Sequence, residues 1–238
     1  MEEKLRGIVI NGISLGENDK LLNIFTLEKG VITAKIKGVK KAGAKLKFAS
    51  EPFCFSEYTF SVTADRRTVT GASLIDSFYP VRENIVKFFA CGTVVEYVKK
   101  FLQEGIVSEN TFSLVVNTLK EIAYGDGSTL TETVKFLYSA LYYSGFAISE
   151  ENCSKCQEKI TGRIFFDYNN GAFICENCYN GEGREISINT YQTLKKVLKG
   201  QEVLEENAVK VLKLLDFYID VKADVKLNSL KELLKMSN

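Results

Sequence analysis

Cys153-Ser154-Lys155-Cys156, eighteen further residues, then Cys175-Glu176-Asn177-Cys178: the middle of this chain carries two Cys-x-x-Cys knuckles. Each knuckle lets two thiolates reach one ion, and a pair of knuckles completes a tetrahedral four-sulfur zinc site. The intervening residues say how the knuckles meet. Arg163 to Tyr168 is aromatic and β-branched, Asn169-Asn170-Gly171 is a turn signal, and Ala172 runs straight into Cys175. That pattern is a β-hairpin, which brings its two ends together. Four thiolates saturate zinc, and the chain has no histidine, so the metal, one per chain, is read as structural. The rival readings are two disulfides in a secreted domain and a thioredoxin-like redox pair. Neither knuckle sits in the β-α-β context of the latter.

Working outward, the remaining cysteines, Cys54 and Cys91, stand singly in apolar surroundings and read as core thiols. Two unpaired thiols, no apolar export signal and no long apolar run point to the cytoplasm and away from a membrane. At 238 residues and 45% hydrophobic the chain can bury a sizeable core. From Pro80 the apolar spacing is helical on both sides of the cysteine segment, with stops at Gly105, Gly125, Gly145 and Gly200. Ser108 reads as a helix cap. Thr129 with Glu132 and Ser229 with Glu232 read as capping boxes. The hairpin is thus inserted in a helical domain spanning 79–238, so Cys175→Ser is expected to destabilise that domain and leave the N-terminal barrel folded.

Residues 1–78 read as β. Five strand-like runs with glycine punctuation suit a small closed barrel of the OB type, with an SH3-like barrel as the alternative. Phe53 and Phe55 alternate opposite to Tyr58 and Phe60, so no single stacking face emerges and core filling is expected. Arg66-Arg67 reads as a solvated turn. The whole is an α+β, multi-domain chain: an N-terminal OB-fold barrel, an all-α domain and an inserted four-cysteine hairpin.

The net charge is only +1, but residues 29–47 hold seven lysines and no acid. Ile32, Ala34 and Ile36 alternate with Thr33, Lys35 and Lys37, which puts the two lysines on one solvent face. Gly38 to Ala44 reads as a flexible basic loop and lacks the P-loop pattern. Such a stripe suits an anionic polymer, though a plain solvated face would look the same. No histidine base, nucleophile elbow, dinucleotide fingerprint or clustered acids appear, which argues against an enzyme.

Taken in order, several strings resemble the RecO family of bacterial recombination mediators. They are Gly7–Ile10 (G-I-V-I), Gly16–Thr26 (G-E-N-D-K-L-L-N-I-F-T), Glu28–Gly30 (E-K-G), Ile36–Lys41 (I-K-G-V-K-K), Leu46–Phe55 (L-K-F-A-S-E-P-F-C-F) and Lys135–Phe146 (K-F-L-Y-S-A-L-Y-Y-S-G-F), just ahead of the knuckles. The resemblance implies a nucleoid-associated, non-enzymatic protein of DNA repair. It would bind single- and double-stranded DNA, anneal complementary strands and, with RecR, help load RecA onto strands coated with single-strand-binding protein (SSB). It makes Lys35, Lys37, Lys40 and Lys41 the core of a DNA face, with Lys45 and Lys47 beside them. The family mixes arginines into this loop, whereas this chain has only lysines, which act as point charges. Some relatives of this kind lack the cysteines, which again makes zinc a brace. An acidic SSB tail calls for an apolar groove rimmed by cations, with Lys99, Lys100, Lys195 and Lys196 as candidates. The competing class is a zinc-ribbon protein of transcription or translation that binds RNA or a protein partner.

Overall fold

The computed structural model describes residues 1–237. Five strands, β1 (Glu2–Leu15), β2 (Asp19–Thr26), β3 (Gly30–Ile36), β4 (Phe55–Thr63) and β5 (Arg66–Asp76), close a barrel in the order β1-β2-β3-β5-β4. Closure is made by a short parallel pairing of β3 with β5, Ala34 to Ile36 against Arg67 to Val69. This is the OB arrangement expected from the sequence. The long first strand serves both halves of the sheet, pairing with β4 over Glu2–Ile8 and with β2 over Gly7–Leu15. Where it coils between them, a Cβ on Gly7 would lie 2.6 Å from the Ile24 side chain. A bulge between Val9 and Asn11 then shifts the register. Arg66 and Arg67 open β5 and do not form a turn, and Arg67 donates to Glu3 at 3.0 Å.

The helical body contains α1 (Ile85–Phe101), α2 (Glu109–Tyr124), α3 (Thr129–Tyr143), α4 (Ile188–Leu198), α5 (Glu205–Ala223) and α6 (Asn228–Met236). Helices from both sides of the cysteine segment pack together, α1 on α6 and α3 on α5. Ser108 caps α2 as expected, its side chain accepting from the Thr111 amide. The two expected capping boxes do not form. Thr129 is already inside α3, and Glu132 and Glu232 turn instead to Lys135 and Lys235, each at 2.6 Å. The start of α6 is capped from a distance. Glu96 on α1 accepts from the amides of Asn228 and Ser229 at 3.1 and 2.8 Å. Burial alone would raise the Glu96 carboxyl, but these amides and Lys100 hold it below its ordinary range.

Between α3 and α4 lie β6 (Ile164–Asp167), β7 (Ala172–Cys175) and β8 (Arg184–Ile186), in the order β7-β6-β8. Every residue of β6 and β7 is buried. Phe166 meets Phe173, Tyr168 and Tyr218, with centroids 4.8, 4.9 and 5.5 Å apart. The hairpin is therefore part of the helical core and not an appendage to it.

Two apolar cores result. One fills the barrel, with Leu22, Ile24, Ile36, Tyr58 and Phe60 all fully buried. The other lies among the helices and takes in Ile8, Ile10, Phe25, Val31 and Phe53 from the barrel's outer wall. The alternation of 53 and 55 against 58 and 60 is thus real: each pair fills a different core. Phe25 and Phe55 meet Phe112 at 5.3 and 5.9 Å, and Phe53 meets Phe88 at 5.5 Å. The Gly105 amide donates to the Val31 carbonyl at 2.9 Å across the same junction. Gly30 permits this approach. Its φ is +64°, and a Cβ there would fall 2.1 Å from the Ile106 carbonyl oxygen. Gly30→Ala should therefore cost about 2–4 kcal/mol, combining overpacking with left-handed strain. Urea denaturation checks this, and a neutral result would mean that the junction opens freely.

Candidate metal centre and nucleic-acid interface

The hairpin brings Cys153, Cys156, Cys175 and Cys178 together, all four sulfurs lying within 4.8 Å of one another. Tetrahedral zinc with bonds of about 2.3 Å spaces its sulfurs about 3.8 Å apart. Cys156 Sγ and Cys175 Sγ are 3.8 Å apart. The donor set and its size therefore fit zinc, which would act as a cross-link between the knuckles. Cys153 is buried and Cys156 exposed, so the site spans the core boundary.

The four thiols are not electrostatically equivalent. Burial disfavours a thiolate at Cys153, yet the amides of Cys156, Cys175 and Lys155 outweigh it and bring that thiol down to about 6. Hydrogen bonding with Cys156 and Cys175 pushes the Cys178 thiol up to about 12. Four sulfurs this close resist joint ionisation, and a divalent cation among them is what allows four thiolates.

Residues that the sequence reading missed hold the second knuckle. Arg163, ahead of β6, grips Glu185 of β8 in a two-pronged pair at 3.0 and 2.6 Å and reaches Glu176 at 3.5 Å. Phe165 stacks on Tyr179, next to Cys178, at 3.7 Å and 10°. These partners are too far apart in sequence for any local pattern to pair them.

On the barrel, Lys37, Lys40, Lys41, Lys45 and Lys47 are all exposed. Among the described residues, none of them has a carboxylate within ion-pairing distance. Lys35 differs. It is half-buried and bonded to Asp19 at 2.8 Å, and that ammonium, with the Gly38 amide, holds the Asp19 carboxyl below its ordinary range. The segment read as a flexible loop is tied at several points. Val39 is buried, the Lys40 amide donates to Asn18, and turns link Lys41 to Gly38 and Ala44 to Lys41. These ties hold the five exposed lysines on one connected stretch between β3 and β4.

The helical cations are dispersed. Lys100 pairs with Glu96 at 3.1 Å, and Lys195 donates to the Glu151 carbonyl at 3.1 Å beside a largely polar hollow. Lys196 is exposed on α4 and borders none of the cavities described. Lys99 rims a groove of about 310 Å³ whose apolar wall is Ile10, Pro52, Phe53, Phe88 and Val95. Among the described residues no helix is long and apolar enough to cross a membrane.

Comparison with known proteins accounts for both halves of the chain. The family pattern described as Recombination protein O N terminal matches residues 1–78, and that described as Recombination protein O C terminal matches residues 82–231. DNA repair protein RecO of Caldicellulosiruptor saccharolyticus is 30% identical over 196 residues, covering 82% of this chain and 78% of that protein. DNA repair protein RecO of Desulforamulus reducens is 26% identical over 236 residues, covering 95% and 91%. A barrel, a helical body and a four-cysteine hairpin in this order, with both halves matched, place the chain in the RecO family of DNA repair and recombination proteins.

Proposed function

We propose that this protein is a recombination mediator that holds DNA on its barrel and protein partners on its helical body. The observation that carries the reading is the run of exposed lysines from Lys37 to Lys47 on an OB barrel, in a chain of the RecO family. Lysines act on phosphates as point charges, so contacts of this kind are indifferent to sequence and serve single and double strands alike. Lys35 contributes by fixing Asp19 and the end of β3. Residues 1–78 form the DNA-binding part and 79–238 the partner-binding part, in the cytoplasm at the nucleoid. Zinc, held by the four cysteines, braces the second part and takes no step in the reaction.

With no catalytic constellation in its sequence, the protein changes a reaction by bringing components together. Annealing of complementary strands and, with RecR, loading of RecA onto SSB-coated strands are the activities that follow. The groove at Lys99 suits the acidic, amphipathic tail of SSB, since it combines an apolar wall with a cation at its rim, while the Glu96 carboxylate in its lining is engaged by Lys100 and the Asn228 and Ser229 amides. Calorimetric titration with the tail peptide and separately with RecR should show binding of each, alongside acceleration of strand annealing. Annealing intact with neither partner bound would reduce the protein to a stand-alone annealing factor. Absence of annealing would favour the competing zinc-ribbon reading, a partner of RNA or of a transcription or translation protein.

A further inference from the structure

OB barrels that hold single strands commonly do so by stacking bases on aromatic side chains. This barrel exposes no ring fully: four of its six are buried and the other two, Phe48 and Phe55, are half-buried against the two cores. Residues 1–76 contain six aromatic rings and no tryptophan. Phe25, Tyr58 and Phe60 are completely buried and Phe53 is 2% exposed. Phe48 is packed against the barrel core and Phe55 against the helical core.

What the outer wall of β1–β2–β3 offers instead is a short row of amides and a hydroxyl, next to the exposed aliphatic Ile13. Asn11 sits opposite Asn23, and Asn23 opposite Thr33. Thr33 Oγ1 donates to Asn23 Oδ1 at 3.2 Å, which fixes that amide with its NH₂ group still able to donate. One step along, Leu21 and Thr68 flank Lys35. All these residues except Lys35 are neutral, and all are partly exposed. Lys37, at the end of the same strand face, leads into the exposed lysine run. Short neutral donors beside a line of ammonium groups match the chemistry of a sugar–phosphate backbone, where most polar contacts of DNA-binding proteins fall.

We propose that the barrel grips nucleic acid by its backbone alone, with Asn23 and Thr33 as contact residues, and leaves the bases unengaged. This rests on the reading of the barrel as the DNA-binding part. It has a functional consequence. A protein that stacks bases must release them before they can pair, at a cost for each base. A protein that holds only the backbone presents the bases ready for a complementary strand, which is what annealing requires.

The test compares an end-labelled oligothymidylate with an abasic oligomer of equal length by fluorescence anisotropy across a salt series. The wild-type protein should bind the two within about threefold, with the same salt slope, because backbone contacts are common to both. Stacking of even two bases would weaken the abasic oligomer by more than about tenfold, and that result overturns the proposal. Asn23→Ala and Thr33→Val should each weaken both oligomers by one common factor, with the melting temperature unchanged. No loss, or a loss confined to oligothymidylate, overturns the assignment of this face. Failure of either oligomer to bind at any salt concentration would instead overturn the DNA-binding reading itself.

Discussion

Purified protein should carry one zinc ion per chain, and Cys175→Ser should abolish its cooperative thermal transition. The size of the effect follows from where the site lies. β6 and β7 are wholly buried, and Phe166 and Phe173 pack among the helices, so the strands a metal would join are core strands. Structural zinc contributes apparent binding free energies of about 10–16 kcal/mol. Whole domains are stable by about 5–15 kcal/mol. Losing such a metal would therefore remove as much as the body has. The sequence alone suggests that the barrel would survive this, since the cysteines fall in the helical half. The structure argues otherwise. Ile8, Ile10, Phe25, Val31 and Phe53 belong to the helical core, so melting the helices strips the barrel's outer wall of its cover. Circular dichroism and differential scanning calorimetry should show one disrupted unit and no intact barrel transition. Elemental analysis finding no metal would remove the zinc assignment. A barrel transition unaffected by Cys175→Ser would show that the shared core contributes little.

Reversal of Lys37, Lys40 and Lys41 to glutamate should flatten the salt dependence of single-strand binding. At about 0.7 counterions per phosphate contact, three lost contacts lower the log–log slope by about two. Between 0.05 and 0.2 M salt the parent protein would then lose about 20-fold more affinity than the variant. Lys35 is left out by design. Its ammonium bonds Asp19 at 2.8 Å, so Lys35→Glu would set two carboxylates against each other and disturb the β2–β3 end. The loss should be the same for every base sequence. An unchanged slope would move the DNA surface elsewhere, most plainly to the helical body or the zinc hairpin.

Some of this molecule is written locally, and those parts are legible in the chain. Two Cys-x-x-Cys pairs flanking an Asn-Asn-Gly turn define a closed hairpin without reference to anything else. Alternation in Ile32–Lys37 separates core from solvent, because the side-chain period of a strand is fixed by its geometry. Helical spacing does the same from Ile85 onward. The opposite phases of Phe53 and Tyr58 are visible too, but a period says only that two faces exist and not what covers each.

What tertiary structure alone decides is partnership. Lys35 reads as a free cation until β2 and β3 pair and bring Asp19 to it. Ser229 and Glu232 read as a capping box until Glu96, 133 residues earlier, takes the Ser229 amide. Arg163 meets Glu185 only when β8 joins β6. The aromatics that a barrel might have used for bases are drawn inward because two cores compete for them, and burying a ring outweighs leaving it exposed. The sequence by itself determined the family, the cluster of four cysteines and the excess of lysine on one side of the barrel. Which charges are already spent, and which rings are already buried, depended on contacts between residues far apart in the chain, and those contacts come into being only when the chain closes on itself.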